Sequence, residues 1–269
     1  MIATTSAGQA FDTLAKTYDS DFTNTLIGRA QRSAVLTDAF RIFKGRPRIL
    51  ELNCGTGEDA LQLSGRGWRV LALDASQQMI ARARFRKLRE APLADLRFQQ
   101  MRTEDLSRIE ETFDGVFSNF SGLNCVENLT AIAALLASRT TIGTPLVFCL
   151  STRVCIWETA WYLLHGKPAK AFRRWPGRHR TSLQGNSVDV FYWSLSQLQT
   201  IFAPFFTLRE VRAIGLFVPP SYVESWIANH PWLLRMMIGL DSFFSRLPLL
   251  RTLGDHMLLH FEKTEGAQP

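Results

Sequence analysis

The stretch "LELNCGTGEDAL", residues 50–61, constrains this chain more than any other. An apolar run ends in a turn that carries Gly55 and Gly57 and then passes directly into a helical pattern. Glycines at such a junction let the backbone take positive φ and let a ligand approach the main chain. With Ala60 they spell G-x-G-x-x-A, most of a dinucleotide-binding fingerprint, and Asp74 ends the next strand, where a ribose-binding acid belongs. Two details depart from that pattern. Asn53 stands where glycine would be the easy choice, and acids flank the loop: Glu51 before it, Glu58 and Asp59 in the first helical turn. Carboxylates at a helix N-terminus repel phosphate and oppose the dipole that would hold it. The loop therefore suits a ligand with a cationic centre and an amino group, and without phosphate.

The rhythm around the loop sets the fold class. Residues 11–43 have helical spacing as far as "KGRP". "RILEL" (48–52), "WRVLALD" (68–74), "LRFQQM" (96–101), "FDGVFSNF" (113–120) and "TPLVFCL" (144–150) read as strands, with helices over 57–65, 77–90 and 126–139. Strands alternating with helices predict a doubly wound α/β layer, a parallel sheet covered on both faces. After residue 150 the rhythm changes. Strands at 188–194 and 206–214 enclose a helix over 195–203, a helical pair crosses 219–247, and "HMLLHFEK" (256–263) alternates as a last strand. A single domain over 1–269 is expected, with its core at about 10–150 and 186–263. Helical and aromatic insertions at about 151–185 and 217–250 are expected to cap the substrate side.

Several classes are disfavoured. No uncharged apolar run reaches the ~18 residues of a membrane span; the nearest, 231–250, carries Arg235, Asp241 and Arg246. The N-terminus lacks the basic start and apolar core of a signal peptide. Cys54, Cys125, Cys149 and Cys155 form no C-x-x-C pair, so neither a metal site nor a disulfide framework is expected, and a reducing cytoplasm fits. The formal charge of +7 leaves an anionic partner open.

At Glu51-Leu52-Asn53-Cys54-Gly55-Thr56-Gly57 the chain resembles the first motif, E-x-G-x-G-x-G, of the class I S-adenosylmethionine (SAM) methyltransferases. Asp74-Ala75-Ser76 with Met79 is similar to the second motif, "FDTLAKTYD" (11–19) to the N-terminal helix, and "FDGVFSNF" to the fourth-strand motif. "LGDHMLLHFEK" is similar to the family's antiparallel last strand. The resemblance covers 10–150 well, 190–263 more loosely, and leaves 151–190 outside. It implies a Rossmann-like sheet of seven strands, mostly parallel, and SAM as cofactor with S-adenosyl-L-homocysteine as product. It implies that Glu51, Asn53, Gly55 and Gly57 hold the cofactor, that Asp74 takes the ribose hydroxyls, and that Ala75 and Met79 flank the adenine. Tyr18 would close over the cofactor, and Asn119 would lie near its methionyl end. Where the family often has Asp-Ala-Glu, this chain reads Arg102-Thr103-Glu104. An arginine cannot accept from the adenine amino group, which leaves Thr103 and Glu104 as contacts, with Glu104 or a backbone carbonyl as the acceptor.

The loop from Ser118 to Val126 should face the transferred methyl, which makes Ser121 and Asn124 substrate candidates as well as ordinary turn residues. No catalytic base can be named. His165, His179, Glu158 and Tyr192 read as structural or solvated, and His256 and His260 as sheet residues. Between Glu158 and Asp189 no acid occurs, while Lys167, Lys170, Arg173, Arg174, Arg178 and Arg180 alternate with aromatics. Such a segment reads as a solvated basic loop, a nucleic-acid surface, or a peripheral membrane contact through 157–180. In 231–250, Arg235, Ser242 and Arg246 share one narrow helical stripe and apolar side chains fill the rest. That balance favours a small hydrophobic or lipid-like acceptor, its atom (O, N or C) open, over nucleic acid. An NAD-dependent oxidoreductase using the same loop, or an RNA- or membrane-binding module retaining the fold, remain as alternatives.

Overall fold

The computed structural model describes residues 7–183 and 185–265. The chain begins with α1 (Ala7–Leu14), a π-helical turn (Asp19–Thr23) and α2 (Leu26–Ile42). The single helix expected over 11–43 is thus two. Thr25 has extended backbone and its Oγ1 accepts from Gly28 N at 2.9 Å, so it caps a new helix where periodicity alone reads straight through. Next come β1 (Arg48–Leu52), α3 (Glu58–Ser64), β2 (Arg69–Asp74), α4 (Gln77–Glu90) and β3 (Leu96–Gln100). β4 (Gly115–Ser118), α5 (Leu129–Ser138) and β5 (Pro145–Ser151) complete the first half. As its sequence implies, Ser76 caps α4, accepting from Met79 N at 3.1 Å.

The second half holds α6 (Ile156–Leu164), α7 (Pro168–Ala171), β6 (Arg178–Leu183), β7 (Asn186–Phe191), α8 (Leu195–Phe202) and β8 (Phe206–Ile214). It ends with α9 (Glu224–Ala228), α10 (Pro231–Phe244) and β9 (His256–Lys263). Seven strands form one sheet in the order β3-β2-β1-β4-β5-β9-β8, with β9 antiparallel to both neighbours. That is the Rossmann-like class I methyltransferase sheet expected from the motifs. β6 and β7 pair only with each other. Residues 186–191 therefore belong to the insertion, and the core resumes near 194, later than the sequence suggested.

Both faces of the sheet are buried, which is why its strands read as apolar runs. Leu50, Leu52, Leu71, Leu73 and Phe148 pack on one face, and Ile49, Val70, Phe117 and Val147 meet Val35, Ala39 and Phe43 on the other. At roughly 1.5–3 kcal/mol for each large side chain taken from water, these layers fix the register. Strand order reverses between β1 and β4, so the crevice at their C-terminal ends is where an open α/β sheet binds ligands.

The basic insertion is tied down by its flanking acids. Arg174 is buried and donates to Glu158 Oε2 at 2.7 Å and Asp255 Oδ1 at 2.9 Å, while Arg173 makes two bonds to Glu158. Arg178 and Arg180 both pair with Asp189 at 2.9 Å. Four of the six cations in this stretch make ion pairs; among the described residues Lys167 and Lys170 make none. The segment is mostly neutralised, which departs from the exposed basic surface its composition implies.

Candidate active site

The loop after β1 takes three left-handed residues: Asn53 at φ 56°, Gly55 at 54° and Gly57 at 77°. Asn tolerates this region better than other non-glycine residues. Its side chain is accommodated by a glycine elsewhere: a Cβ on Gly122 would lie 2.2 Å from Asn53 Cβ. Asn53 Nδ2 donates to Thr103 Oγ1 at 3.2 Å, which links the loop to the residues after β3. Gly57 takes the expected positive φ and has a packing role as well. A Cβ there would meet Phe98 and Ala83 at 2.7 and 2.8 Å, so this glycine allows close packing and does not reach the cavity.

Asp74 accepts from Gly55 N at 2.9 Å and Ser76 N at 2.8 Å. Burial raises its pKa above the ordinary carboxylate value, and these amides partly offset that. α1 lies across the sheet's edge at this point. Its Gly8 backs onto the Ala75 carbonyl, where a Cβ would fall 2.7 Å away, and Asp12 Oδ1 accepts from Ser76 Oγ and Gln78 N at 2.5 and 2.9 Å. The π-helical turn is pinned to the glycine loop by Asp19, which accepts from Thr56 Oγ1 at 2.6 Å and Arg86 Nη2 at 2.7 Å.

Between these parts lies a cavity of about 250 Å³. One wall is made by Tyr18, Asn53, Gly55, Asp74, Ala75 and Met79; Asn119 and Ser121 also line it. The other is apolar: Phe11, Phe120 and Cys125, closed by Thr181, Leu183, Val188 and Val190 of the β6–β7 hairpin. A more polar cavity of about 510 Å³ adjoins it through Asn53, Ala75 and Gly122 and reaches Gln100, Thr103 and Glu104. The hairpin residues were not legible as site residues. The turn around Gly185 between two six-residue strands was the available signal, but only one inward residue of β6, Leu183, is strongly apolar.

The acids sort differently from their reading in the sequence. Glu58 pairs with Arg86 at 3.3 Å, and Asp59 accepts from Arg32 Nε at 3.0 Å and Asn119 Nδ2 at 3.1 Å. Both first-turn carboxylates are thus paired with arginines from other helices. Glu51 keeps an unsatisfied acceptor: it is buried behind the loop, does not line either cavity, and its Oε2 has no hydrogen-bond partner. Burial, then the nearby Asp59, push its pKa well above the usual carboxylate range. Asn53 Oδ1 is likewise buried and unpartnered. A ligand that brings cationic hydrogen-bond donors fits these orphaned oxygens.

Asn119 positions the loop after β4, its Oδ1 accepting from Phe120 N at 2.9 Å, next to two left-handed residues, Phe120 and Ser121. Ser121 shares a 2.6 Å bond with Ser151 Oγ. Asn124, expected as a substrate contact, does not line either cavity. It is fully buried, donating to Phe191 O at 2.6 Å and accepting from Ser151 N at 2.9 Å, and so clamps the hairpin to β5. The remaining base candidates lie elsewhere: Glu158 is in its ion pairs, His165 bonds Trp161 O, and Tyr192 stacks on Arg174. The ionisable side chains on the 250 Å³ cavity are Asp74, Tyr18 and Cys125, the last two pushed up to about 12, chiefly by burial. Among the described residues no group of His, Cys, Asp and Glu could hold a metal ion, and no helix is long and apolar enough to cross a membrane.

Residues 49–140 match a family model described as a methyltransferase domain. This match covers 92 of the 269 residues, and the sheet around it has the class I SAM-dependent methyltransferase fold. The match favours SAM over the nicotinamide cofactor that the glycine loop alone left open.

Its relatives are particular enzymes of differing acceptors. A demethylmenaquinone methyltransferase of Leptospira interrogans is 27% identical over 124 residues, 45% of this chain and 50% of that protein. The chain thus spans about half the length of this curated relative. The 23S rRNA (uracil(1939)-C(5))-methyltransferase RlmD of Thiobacillus denitrificans is 38% identical over 77 residues, 28% of this chain and 18% of that one. A solved structure of DhpI with S-adenosylhomocysteine aligns with a TM-score of 0.55 at 19% identity, covering 98% of this chain and 100% of the other.

Proposed function

We propose that the protein transfers a methyl group from SAM to a small, hydrophobic or lipid-like acceptor held beneath the β6–β7 hairpin. The observation that carries this reading is the wall facing the cofactor residues, formed by Phe11, Phe120, Leu183, Val188 and Val190 and free of charge. A pocket lined this way gains affinity from apolar surface and selects against charged acceptors. The basic insertion offers little to RNA, since four of its six cations are engaged with Glu158 and Asp189.

SAM supplies a methyl group already activated by its sulfonium. The chain's part is to hold and align. Glu51 and Asn53 offer their unpartnered oxygens to the amino end, Asp74 the ribose, Ala75 and Met79 the adenine faces, and Thr103 and Glu104 the polar annex. Tyr18 closes the site from the N-terminal segment, and Ser121 lies on the acceptor side. Positioning of this kind can supply much of the rate for an activated donor. Tyr18 and Cys125 keep their protons through neutral pH, and Asp74 is held by two amides. The acceptor must therefore bring its own lone pair, as an ionised phenol or enol, a thiol or an amine. The unpaired, mostly buried cysteines suit a reducing cytoplasm.

Incubation with methyl-labelled SAM and a panel of apolar phenols, polar acids and RNA tests this reading. Label in the organic-soluble phenols is expected; label confined to RNA or to polar acids contradicts it.

A further inference from the structure

Among the described residues nothing covers the outer face of α10. Leu234, Met237 and Asp241 turn inward, while Trp232 is 64% exposed, Met236 49% and Phe243 79%. Spacings of four and seven put these three on one stripe, which runs on into Leu247 and, at 86% exposure, Leu249. Apolar surface of this extent marks a binding face more often than idle surface.

The charge beside it has one sign. Between 215 and 253 the only acids are Glu224, which accepts from Leu26 N and Ile27 N, and Asp241, which accepts from Phe217 N. Both are spent on backbone. Arg235 is exposed on the outer face, and among the described residues it makes no ion pair. Arg246 and Arg251, which alternate along the chain with Leu247 and Leu249, line a cavity of about 210 Å³ with Arg41, Arg209 and Arg212. Three carboxylates answer these five guanidinium groups. Asp38 takes Arg41, Arg212 and Arg246; Glu210 takes Arg41; Glu262 takes Arg209. Among the described residues Arg251 makes no ion pair, the buried Arg212 Nε has no hydrogen-bond partner, and His260 Nδ1 lies 3.6 Å from Glu210 Oε1.

We propose that α10 and the turn 245–251 dock on an anionic phospholipid bilayer, with a headgroup phosphate in the arginine cavity and the Trp232–Leu249 stripe in the interface. Guanidinium forks match phosphate oxygens, and tryptophan beside long apolar side chains settles at headgroup depth. Charge complementarity selects this occupant: an apolar stripe edged by surplus arginine suits an anionic lipid surface better than a neutral one. The proposal goes beyond the methyl-transfer reading and does not depend on it.

Co-sedimentation of the full chain with phosphatidylcholine vesicles, with and without phosphatidylglycerol, tests it. Binding is expected only to the anionic vesicles, with a blue shift of tryptophan emission and release by salt. Trp232→Ser with Phe243→Ser should weaken partition about tenfold or more, and Arg251→Gln severalfold. These side chains are exposed or unpaired, so S-adenosylhomocysteine affinity should not change, and that readout separates lost docking from misfolding. Absence of binding to anionic vesicles, or binding indifferent to the Trp232/Phe243 change, overturns the proposal. Inorganic phosphate titrating the arginine cavity without vesicle binding makes it a free-anion site, and the membrane assignment then falls. A dimer dissolved by Phe243→Ser, again without vesicle binding, makes the stripe an interface between copies and likewise overturns it.

Discussion

At Asn53 the chain puts a side chain into a backbone conformation that glycine usually takes, and Gly122 supplies the space it needs. The two positions should therefore be coupled. Gly122→Ala in the wild-type background is expected to cost about 1–3 kcal/mol by overpacking against Asn53. The same change with Asn53→Gly should cost much less, because the clash has gone. Denaturant midpoints of the two single variants and the double read the coupling directly; strict additivity would contradict it. Glu51 gives a second prediction at this scale. Its pKa is raised in the folded state by burial, so ionisation opposes folding: stability is fullest where Glu51 is protonated in both states. It declines as pH rises from the ordinary carboxylate value through the raised one. A cationic ligand needs the ionised form, so S-adenosylhomocysteine affinity should fall as pH drops through that raised value. Glu51→Gln should leave the melting temperature equal or higher at neutral pH while weakening the ligand. A variant that binds as tightly as wild type would remove Glu51 from the site.

Elements legible in the sequence were those where local pattern and tertiary role agree. β1, β2, β5 and β9 are apolar or alternating runs, and α4 and α8 begin at serines that do cap them. The misreadings have physical reasons. Helical periodicity runs through 11–43 because the same apolar positions serve two helices, and only Thr25 marks the break. β6 escaped because its alternation is between polar and weakly apolar side chains, and its inward face is defined by the cavity it closes. Among the acids, Glu58 and Asp59 looked functional because their partners Arg86 and Arg32 are distant in sequence. Distance also hid the anchor of the insertion. Burial works to raise the carboxyls of Glu158 and Asp255, and the hydrogen bonds and charges of Arg173 and Arg174, with His256 beside Asp255, outweigh it and hold them low. Their stabilising effect is complete above the ordinary carboxylate range and is lost as pH falls through the lowered values. Arg174→Ala leaves two buried carboxylates short of a partner, at a cost of roughly 3–5 kcal/mol. Limited proteolysis should then cut within 165–191 in the variant, and in wild type only in acid. Equal protection of both at neutral pH would contradict this anchoring.

On the scale of the whole molecule, the proposed cofactor side and the proposed acceptor side have different origins. Asn53, Gly55, Asp74 and Met79, at and beyond the C-terminal ends of β1 and β2, lie within the segment that matches the methyltransferase family model and carry the motifs read from the sequence. The acceptor side comes from α1, the loop after β4 and an insertion outside the family resemblance, so no motif announced it. This division predicts that the two functions separate. Leu183→Asp puts a charge on the proposed acceptor wall, at a half-buried hairpin position. The most direct test is to measure, on this one variant, both S-adenosylhomocysteine affinity by calorimetry and methyl transfer to an apolar phenol. Unchanged affinity with transfer reduced at least about tenfold is the predicted result, since a buried unpaired charge is costly and the apolar acceptor cannot pair it. Transfer as fast as wild type, or joint loss of both activities in a protein that still folds, would contradict an acceptor site beneath the hairpin.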